Sequence, residues 1–240
     1  MMKTIAKIVD LNIKSIDSID SSKIDKYDSP VELMLCQTKA RMLQLNQYHT
    51  ICQEYILPIP YLCQVYHLLN LKHLEAVHSF SLKGLKIGNV GQFKATKTGG
   101  SIKFQTMLVS SLNILRIWRR PVVEVELTLH DFYTIELNVG IYRDKKINVI
   151  FNVLPLGESE HKLFINIYSD VGLIKPFFQI LLHFASCLTL IEDIPYLHNL
   201  AKKNPRSLVK SAKNSQCPTM QLFNRFVDLY ESELAEPISE

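Results

Sequence analysis

Between residues 86 and 169 the sequence is a succession of short segments rich in β-branched and aromatic residues, separated by brief connectors. Such segments, with the alternation seen in KLFINIY, predict β-strands. The connectors RRP at 119–121 and GES at 157–159 are far shorter than the roughly dozen residues of a parallel crossover, so the strands must pair antiparallel. The predicted strands are residues 86–96, 101–109, 113–118, 122–129, 133–141, 147–154 and 161–169.

After this predicted sheet the sequence favours two helices. An apolar run predicts a long helix over residues 175–203, and Pro195 should distort it because proline lacks the N–H that a helix interior needs. Residues 219–234 predict a shorter amphipathic helix. We therefore predict an α+β fold of the helix-grip, START-like kind. In that fold an antiparallel sheet packs on a long C-terminal helix and encloses an apolar cavity.

The part of the chain before the sheet is predicted to be an extension with one helix. The residues before Ser29 mix Asp, Ser, Lys and Ile without a sustained period. Ser29 and Glu32 then have the spacing of a capping box, and Pro30 suits the first helical position, so a helix is predicted from there to residue 54. The predicted division is an extension over residues 1–54 and one domain over residues 55–235.

The long predicted helix contains a run without Asp, Glu, Lys or Arg, residues 176–191. This run is shorter than the about 20 residues that cross a bilayer, and it includes Gln179 and His183. We expect a buried core helix, with peripheral membrane contact as the alternative.

The composition argues against several classes of function. A net charge of +4 without an arginine-rich arm does not favour nucleic-acid binding. Five scattered cysteines without a CxxC motif argue against a zinc ribbon or a thioredoxin-like site. They predict reduced thiols, and hence a cytoplasmic location.

Two histidines ahead of the predicted sheet are candidate metal ligands. His73 and His78 lie five residues apart, and two imidazoles plus one carboxylate are the ligand set of many non-haem iron sites. Five helical steps turn the two side chains roughly 140° apart. Both can therefore reach one ion only if the helix is kinked, widened or ends between them. The alternative is one core histidine and one surface histidine.

The stretch from His67 to His78, HLLNLKHLEAVH, resembles the N-x2-D-x2-H-x4-H pattern of Rieske-type non-haem iron oxygenases. The resemblance extends over roughly residues 55–235 and is to the catalytic domain of the ring-hydroxylating and chlorophyll-pathway enzymes. It includes a proline-rich entry at 57–61, an antiparallel sheet and a long helix that carries the acidic pair Glu192-Asp193.

This resemblance implies a mononuclear Fe(II) held by His73, His78 and Asp193, beside a hydrophobic or aromatic substrate. Glu192 is the alternative ligand, because adjacent helical side chains point about 100° apart. Asn70 stands where the family has the acidic residue thought to link its two metal centres. An asparagine there can still orient an imidazole through a hydrogen bond.

Two departures from the family bear on function. The C-x-H and C-x2-H pairs that hold a Rieske [2Fe–2S] cluster do not occur in this sequence, and His67 stands where the family usually has asparagine. The resemblance therefore implies electrons from a separate Rieske or ferredoxin-type protein, and a trimer as in the family. The alternative is a non-catalytic START-like protein that binds a hydrophobic ligand or partners an oxygenase subunit.

Overall fold

A computed structural model describes residues 30–77, 85–108, 122–141, 145–171, 175–203, 205–213 and 217–235. Six α-helices and eight strands lie within these ranges. The helices are α1 (Pro30–Leu45), α2 (Tyr61–Leu69), α3 (His73–Ala76), α4 (Lys175–Ala201), α5 (Pro205–Lys213) and α6 (Gln221–Ala235). The strands are β1 (His49–Leu57), β2 (Leu85–Val90), β3 (Lys94–Ala95), β4 (Gly100–Leu108), β5 (Val122–Leu129), β6 (Thr134–Gly140), β7 (Lys146–Pro155) and β8 (His161–Ser169).

The eight strands form one sheet in the order β1-β8-β7-β6-β5-β4-β2, and β3 pairs with β4. Every pairing is antiparallel. The prediction of an α+β fold with an antiparallel sheet and a long C-terminal helix is therefore confirmed. The START-like, helix-grip label stays a prediction, and the predicted strand at 113–118 lies outside the described residues.

The prediction of one helix from residue 30 to residue 54 is wrong in its last part. Helix α1 ends at Leu45, and the segment HTICQEYIL forms strand β1. This strand pairs with β8 from His49 opposite Tyr168 to Leu57 opposite His161. Its sequence suits either structure, and pairing with a strand more than a hundred residues away decides between them. Strand β1 also crosses the domain boundary predicted after residue 54.

The two faces of the sheet are covered differently. Apolar side chains of the inner face, such as Phe104 and Ile165, join α2, α4 and α6 in the main core. The outer face carries Ile150 and Tyr168, which pack against Leu45 of helix α1. The polar neighbours of these residues on the outer face form a hydrogen-bonded network with the same helix.

Glu136 is the centre of that network. Its carboxylate accepts hydrogen bonds from Arg41 Nη2 (2.6 Å) and Nε (2.9 Å), from His130 Nε2 (2.8 Å) and from Asn148 Nδ2 (2.7 Å). Burial alone would raise the pKa of Glu136, but these donors outweigh it and lower the pKa to about 2. Arg41 lies on helix α1, so the network fixes that helix to the sheet.

Helix α4 runs without a break through Pro195. One side of it faces the sheet, while Phe177, Ile180 and Phe184 are each more than 60% exposed. By length and composition alone, Pro176–Ala201 could cross a membrane. Only 17% of the most apolar 18-residue stretch in this helix is buried. The expectation of a buried core helix is therefore wrong, because the apolar run extends around all sides of the helix. Helix α5 lies between the two helices that the sequence predicts after the sheet, and it is not itself predicted.

Candidate metal centre

The candidate metal centre depends on an interruption of the helical structure between α2 and α3. The N–H of Asn70 donates the last helical hydrogen bond of α2, to the Tyr66 carbonyl at 3.0 Å. Asn70 itself is extended, with φ −92° and ψ 100°, and α3 begins three residues later at His73. The chain therefore turns, and the rings of His67 and His73 meet with their centroids 4.0 Å apart.

Helix α4 brings a carboxylate to these two imidazoles. His67 Nε2 lies 2.9 Å from Asp193 Oδ1. His67, His73 and Asp193 each offer one ligand atom, and these atoms all lie within 4.8 Å of one another. All three residues are buried, at 1%, 6% and 8% exposure. A charged group is rarely buried unless it is paired or binds a metal, so the arrangement is one that suits a cation.

The tautomer of His73 follows from its hydrogen bond. His73 Nδ1 lies 2.7 Å from the main-chain carbonyl of Asn70, and a carbonyl can only accept, so Nδ1 carries the proton. In the neutral ring the lone pair is then on Nε2 and available to a metal. This is the usual outer contact of a metal-binding histidine.

The Asn70 side chain has a different role from its carbonyl. Its Oδ1 accepts a hydrogen bond from the Lys72 N–H at 3.1 Å, and its side chain also bonds to the phenols of Tyr66 and Tyr196. Burial and the nearby Asp193 carboxylate raise the pKa of Tyr196 to about 12, so its phenol stays protonated at neutral pH. The Asn70 side chain thus stabilises the turn between the two helices. The hydrogen bond from Asn70 to an imidazole is made to His73, by the main-chain carbonyl.

The cluster lies on the wall of a cavity of about 250 Å³ between the sheet and helix α4. The wall is largely apolar and includes Phe104, Leu127, Phe151, Ile165, Leu182 and Leu190. Concave apolar sites with a few polar groups are the usual form of a small-molecule site. The size suits a small ligand, because drug-sized ligands occupy cavities of about 300 Å³ or more.

The donor set fits a divalent transition metal. Two ligand atoms that each lie about 2.0–2.2 Å from one ion are at most about 4.4 Å apart. The spread of 4.8 Å therefore needs only small side-chain rotations to close on an ion. Two imidazoles with one carboxylate are the set associated with non-haem Fe(II).

The structure brings together two of the three residues predicted as metal ligands, His73 and Asp193. Among the described residues the grouped carboxylate is Asp193 rather than its neighbour Glu192. His78 lies outside the described residues. His183, in the run predicted to be a buried core helix, is exposed, and its Nδ1 lies 3.1 Å from Gln53 Nε2.

His67 is the residue of the cluster that sequence reasoning missed. The resembled family usually has asparagine at its position, so the resemblance gives His67 no metal-binding role. Gln64 and His67 lie three residues apart on one side of α2, and Asn70 follows at the same spacing just after the helix, in an otherwise apolar segment. That spacing is the signal in the sequence that could have identified His67 as a member of the cluster.

Solved structures share this fold. Dicamba monooxygenase bound to 3,6-dichlorosalicylic acid superposes with a TM-score of 0.60 and 12% identity, over 79% of this chain and 61% of that one. The same enzyme bound to dicamba gives 0.58 and 11%, over 91% and 66%. NdmA of Pseudomonas putida CBB5 with caffeine gives 0.55 and 14%, over 77% and 52%.

These matched proteins are Rieske-type oxygenase subunits, so the resemblance drawn from the sequence is supported at the level of fold. The chain spans about three fifths of dicamba monooxygenase and about half of NdmA. No protein-family model and no curated protein sequence matches the chain.

Proposed function

We propose that this chain is the mononuclear-iron subunit of an oxygenase that hydroxylates or oxidises a hydrophobic or aromatic substrate. The observation that carries the proposal is the group of His67, His73 and Asp193 on the wall of an apolar cavity. The fold shared with oxygenases supports it. An apolar cavity alone would suit any lipid-like ligand, whereas a buried carboxylate between two imidazoles suits metal chemistry.

His73 and Asp193 are the two ligands on which sequence and geometry agree. The third ligand is His67 in the described geometry, or His78 as the resemblance implies. His67 is favoured because its Nε2 already lies 2.9 Å from an Asp193 oxygen, close to the spacing of neighbouring ligands on one ion. To bind through Nε2, His67 needs the neutral ring form in which the proton is on Nδ1.

When bound, Fe(II) held by two imidazoles and a carboxylate supplies open positions for O2 chemistry. The chain's own groups prepare the site. The Asn70 carbonyl keeps the His73 proton on Nδ1 and fixes the ring. The apolar wall excludes water and binds the substrate, and in such a low-dielectric setting the Asp193 charge acts strongly on a cation.

We further propose that electrons come from a separate Rieske or ferredoxin-type protein, because this sequence has no C-x-H and C-x2-H pairs. Lys202, Lys203, Lys210 and Lys213 are exposed and form a basic region around the end of α4 and along α5, which would attract an acidic donor. A cytoplasmic location and a homotrimer or heterotrimer remain part of this proposal.

The test is iron content after anaerobic reconstitution with Fe(II), followed by removal of excess metal. About one iron per chain is expected in the natural protein, and little in His73→Ala or Asp193→Ala. His67→Ala and His78→Ala identify the third ligand, because only the variant that removes it should lose iron. His198→Ala, on the exposed side of α4, is the matched control and should retain iron.

A natural chain that is folded and yet retains no iron would overturn the proposal. The second candidate, a non-catalytic protein that binds a hydrophobic ligand, would then account for the cavity. The cavity itself favours this candidate, since most of its wall consists of apolar side chains other than the proposed metal ligands.

A further inference from the structure

Gln64 is a buried polar residue on the cavity wall that the proposed iron site does not use. It lies on α2 one helical turn before His67 and is 2% exposed. Its side chain lines the same cavity as His67, His73 and Asp193. Within the described part of the chain, its buried Oε1 accepts no hydrogen bond.

An acceptor in this state is costly. Buried side-chain polar atoms nearly always have a hydrogen-bond partner, and leaving one unsatisfied destabilises the fold. Gln64 could be replaced by an apolar residue in this largely apolar wall without this penalty. The position is therefore explained if a ligand in the cavity donates a proton to Oε1.

The other polar groups of the wall are the cluster of His67, His73 and Asp193, together with Ser186 and Thr189. The Thr189 hydroxyl donates to carbonyls of its own helix, at 2.9 Å to Ser186 O and 3.2 Å to Ala185 O. No Lys or Arg occurs among the described residues that line the cavity. An anionic ligand would therefore lack a counter-ion there, and it would lie close to the Asp193 carboxylate.

We propose that Gln64 is the specificity-determining residue of the cavity, accepting a hydrogen bond from a neutral, mainly apolar ligand that carries one hydroxyl or N–H. As a statement about a substrate this rests on the proposed oxygenase function. Residues three apart on a helix have Cβ atoms about 5–6 Å apart, so Gln64 would anchor the polar end of the ligand one turn from His67. The apolar part of the ligand would then lie beside His67, His73 and Asp193.

The test compares three two-ring probes of similar size by titration calorimetry on the metal-free chain. 2-Naphthol is a neutral hydrogen-bond donor, 2-methoxynaphthalene is neutral but has no proton to donate, and 2-naphthoate is an anion. The variant is Gln64→Met, which keeps the length of the side chain and removes its polarity. Gln105→Met is the matched control, because it makes the same change at an exposed residue of β4 that does not line the cavity.

We expect the natural chain and Gln105→Met to bind 2-naphthol about tenfold more tightly than 2-methoxynaphthalene. Gln64→Met should reduce that ratio to about twofold or less, and 2-naphthoate should bind more weakly than 2-naphthol to every protein. Equal affinity of the natural chain for the two neutral probes would overturn the proposal. So would a preference that survives in Gln64→Met, or tight binding of 2-naphthoate.

Iron content measured on the same preparations separates this inference from the proposed function. Iron binding without a preference for 2-naphthol would overturn the role of Gln64 and leave the oxygenase proposal standing. A preference that depends on Gln64 in a chain that binds no iron would support Gln64 as a ligand-binding residue and overturn the oxygenase proposal.

Discussion

Two buried carboxylates, on opposite faces of the same sheet, have very different surroundings. Glu136 on the outer face accepts four hydrogen bonds from three polar side chains, one of them the permanent cation Arg41. Asp193 on the inner side faces two imidazoles and an apolar cavity. Neither His67 nor His73 is a permanent cation.

The difference in their surroundings identifies Glu136 as a structural acid and Asp193 as a candidate functional one. The charge of Glu136 is neutralised within the fold, and its partners connect helix α1 to the sheet. The Asp193 charge is held beside groups that become strong metal ligands when neutral. Burial of an acid is therefore a poor guide to function by itself, and the nature of its partners is more informative.

The largest expected effect is on metal affinity. Asp193→Asn should lower Fe(II) affinity by at least about 100-fold, because an amide replaces the anionic ligand. Glu136→Gln should leave Fe(II) affinity unchanged within about twofold. Competition with a chromophoric chelator under anaerobic conditions measures both. Equal losses in the two variants would show that the two acids do not differ in role.

The next effect is on stability, and it should run in the opposite order. Glu136→Gln should lower the free energy of unfolding by about 2–3 kcal/mol at pH 7, because it leaves Arg41 without its carboxylate. The figure is below that of a fully buried pair, since the Arg41 side chain is 32% exposed. Asp193→Asn should cost less, because neither neighbouring imidazole is a permanent cation that would be left without its carboxylate. Urea unfolding of the metal-free proteins gives both values.

The stabilisation by Glu136 should also depend on pH. The pKa of Glu136 falls from 4.5 in the unfolded chain to about 2 in the folded one, so its charged form stabilises the fold fully above pH 4.5. Below that, the difference between the natural chain and Glu136→Gln should shrink by about 1.4 kcal/mol per pH unit. Unfolding curves at pH 7, 4.5 and 3.5 test this. A constant difference would mean that the carboxylate is not the stabilising group.

The smallest effect concerns Asn70. Asn70→Ala keeps the main-chain carbonyl that holds His73 Nδ1, so Fe(II) affinity should fall by no more than about threefold. The loss of the side-chain hydrogen bonds to the Lys72 N–H and to the Tyr66 and Tyr196 phenols should cost about 1–2 kcal/mol of stability. The same chelator competition and urea unfolding measure the two effects. A large loss of metal affinity would show that the side chain, and not the carbonyl, orients the centre.

Much of the sheet could be predicted from the sequence. Alternation within segments such as β8, together with short connectors, is a local property and leaves only antiparallel pairing. Strand β1 could not be predicted in this way. Its residues suit a helix or a strand, and the choice depends on pairing with β8. Local preference is a weak guide where a distant partner decides the structure.

The candidate site was predictable in part. The choice between Glu192 and Asp193 depends on the rotation of helix α4, which a uniformly apolar run does not indicate. The role of His67 depends on the break at Asn70, and neither glycine nor proline marks that break in the sequence. The rotation of α4 and the end of α2 at Asn70 both depend on how the elements pack, so they cannot be predicted from composition and spacing.

The pairing of the first strand with the last has a consequence for the order of folding. Strand β1 can gain its partner only after β8 has been synthesised, and Asp193 follows later still on helix α4. During synthesis at the ribosome, His67 and His73 are therefore made well before Asp193, whose carboxylate completes the candidate site. Contacts between such distant segments form slowly, because a long loop must close first. Acquisition of the metal would then be a late event, and slow metal uptake during refolding would report completion of the sheet.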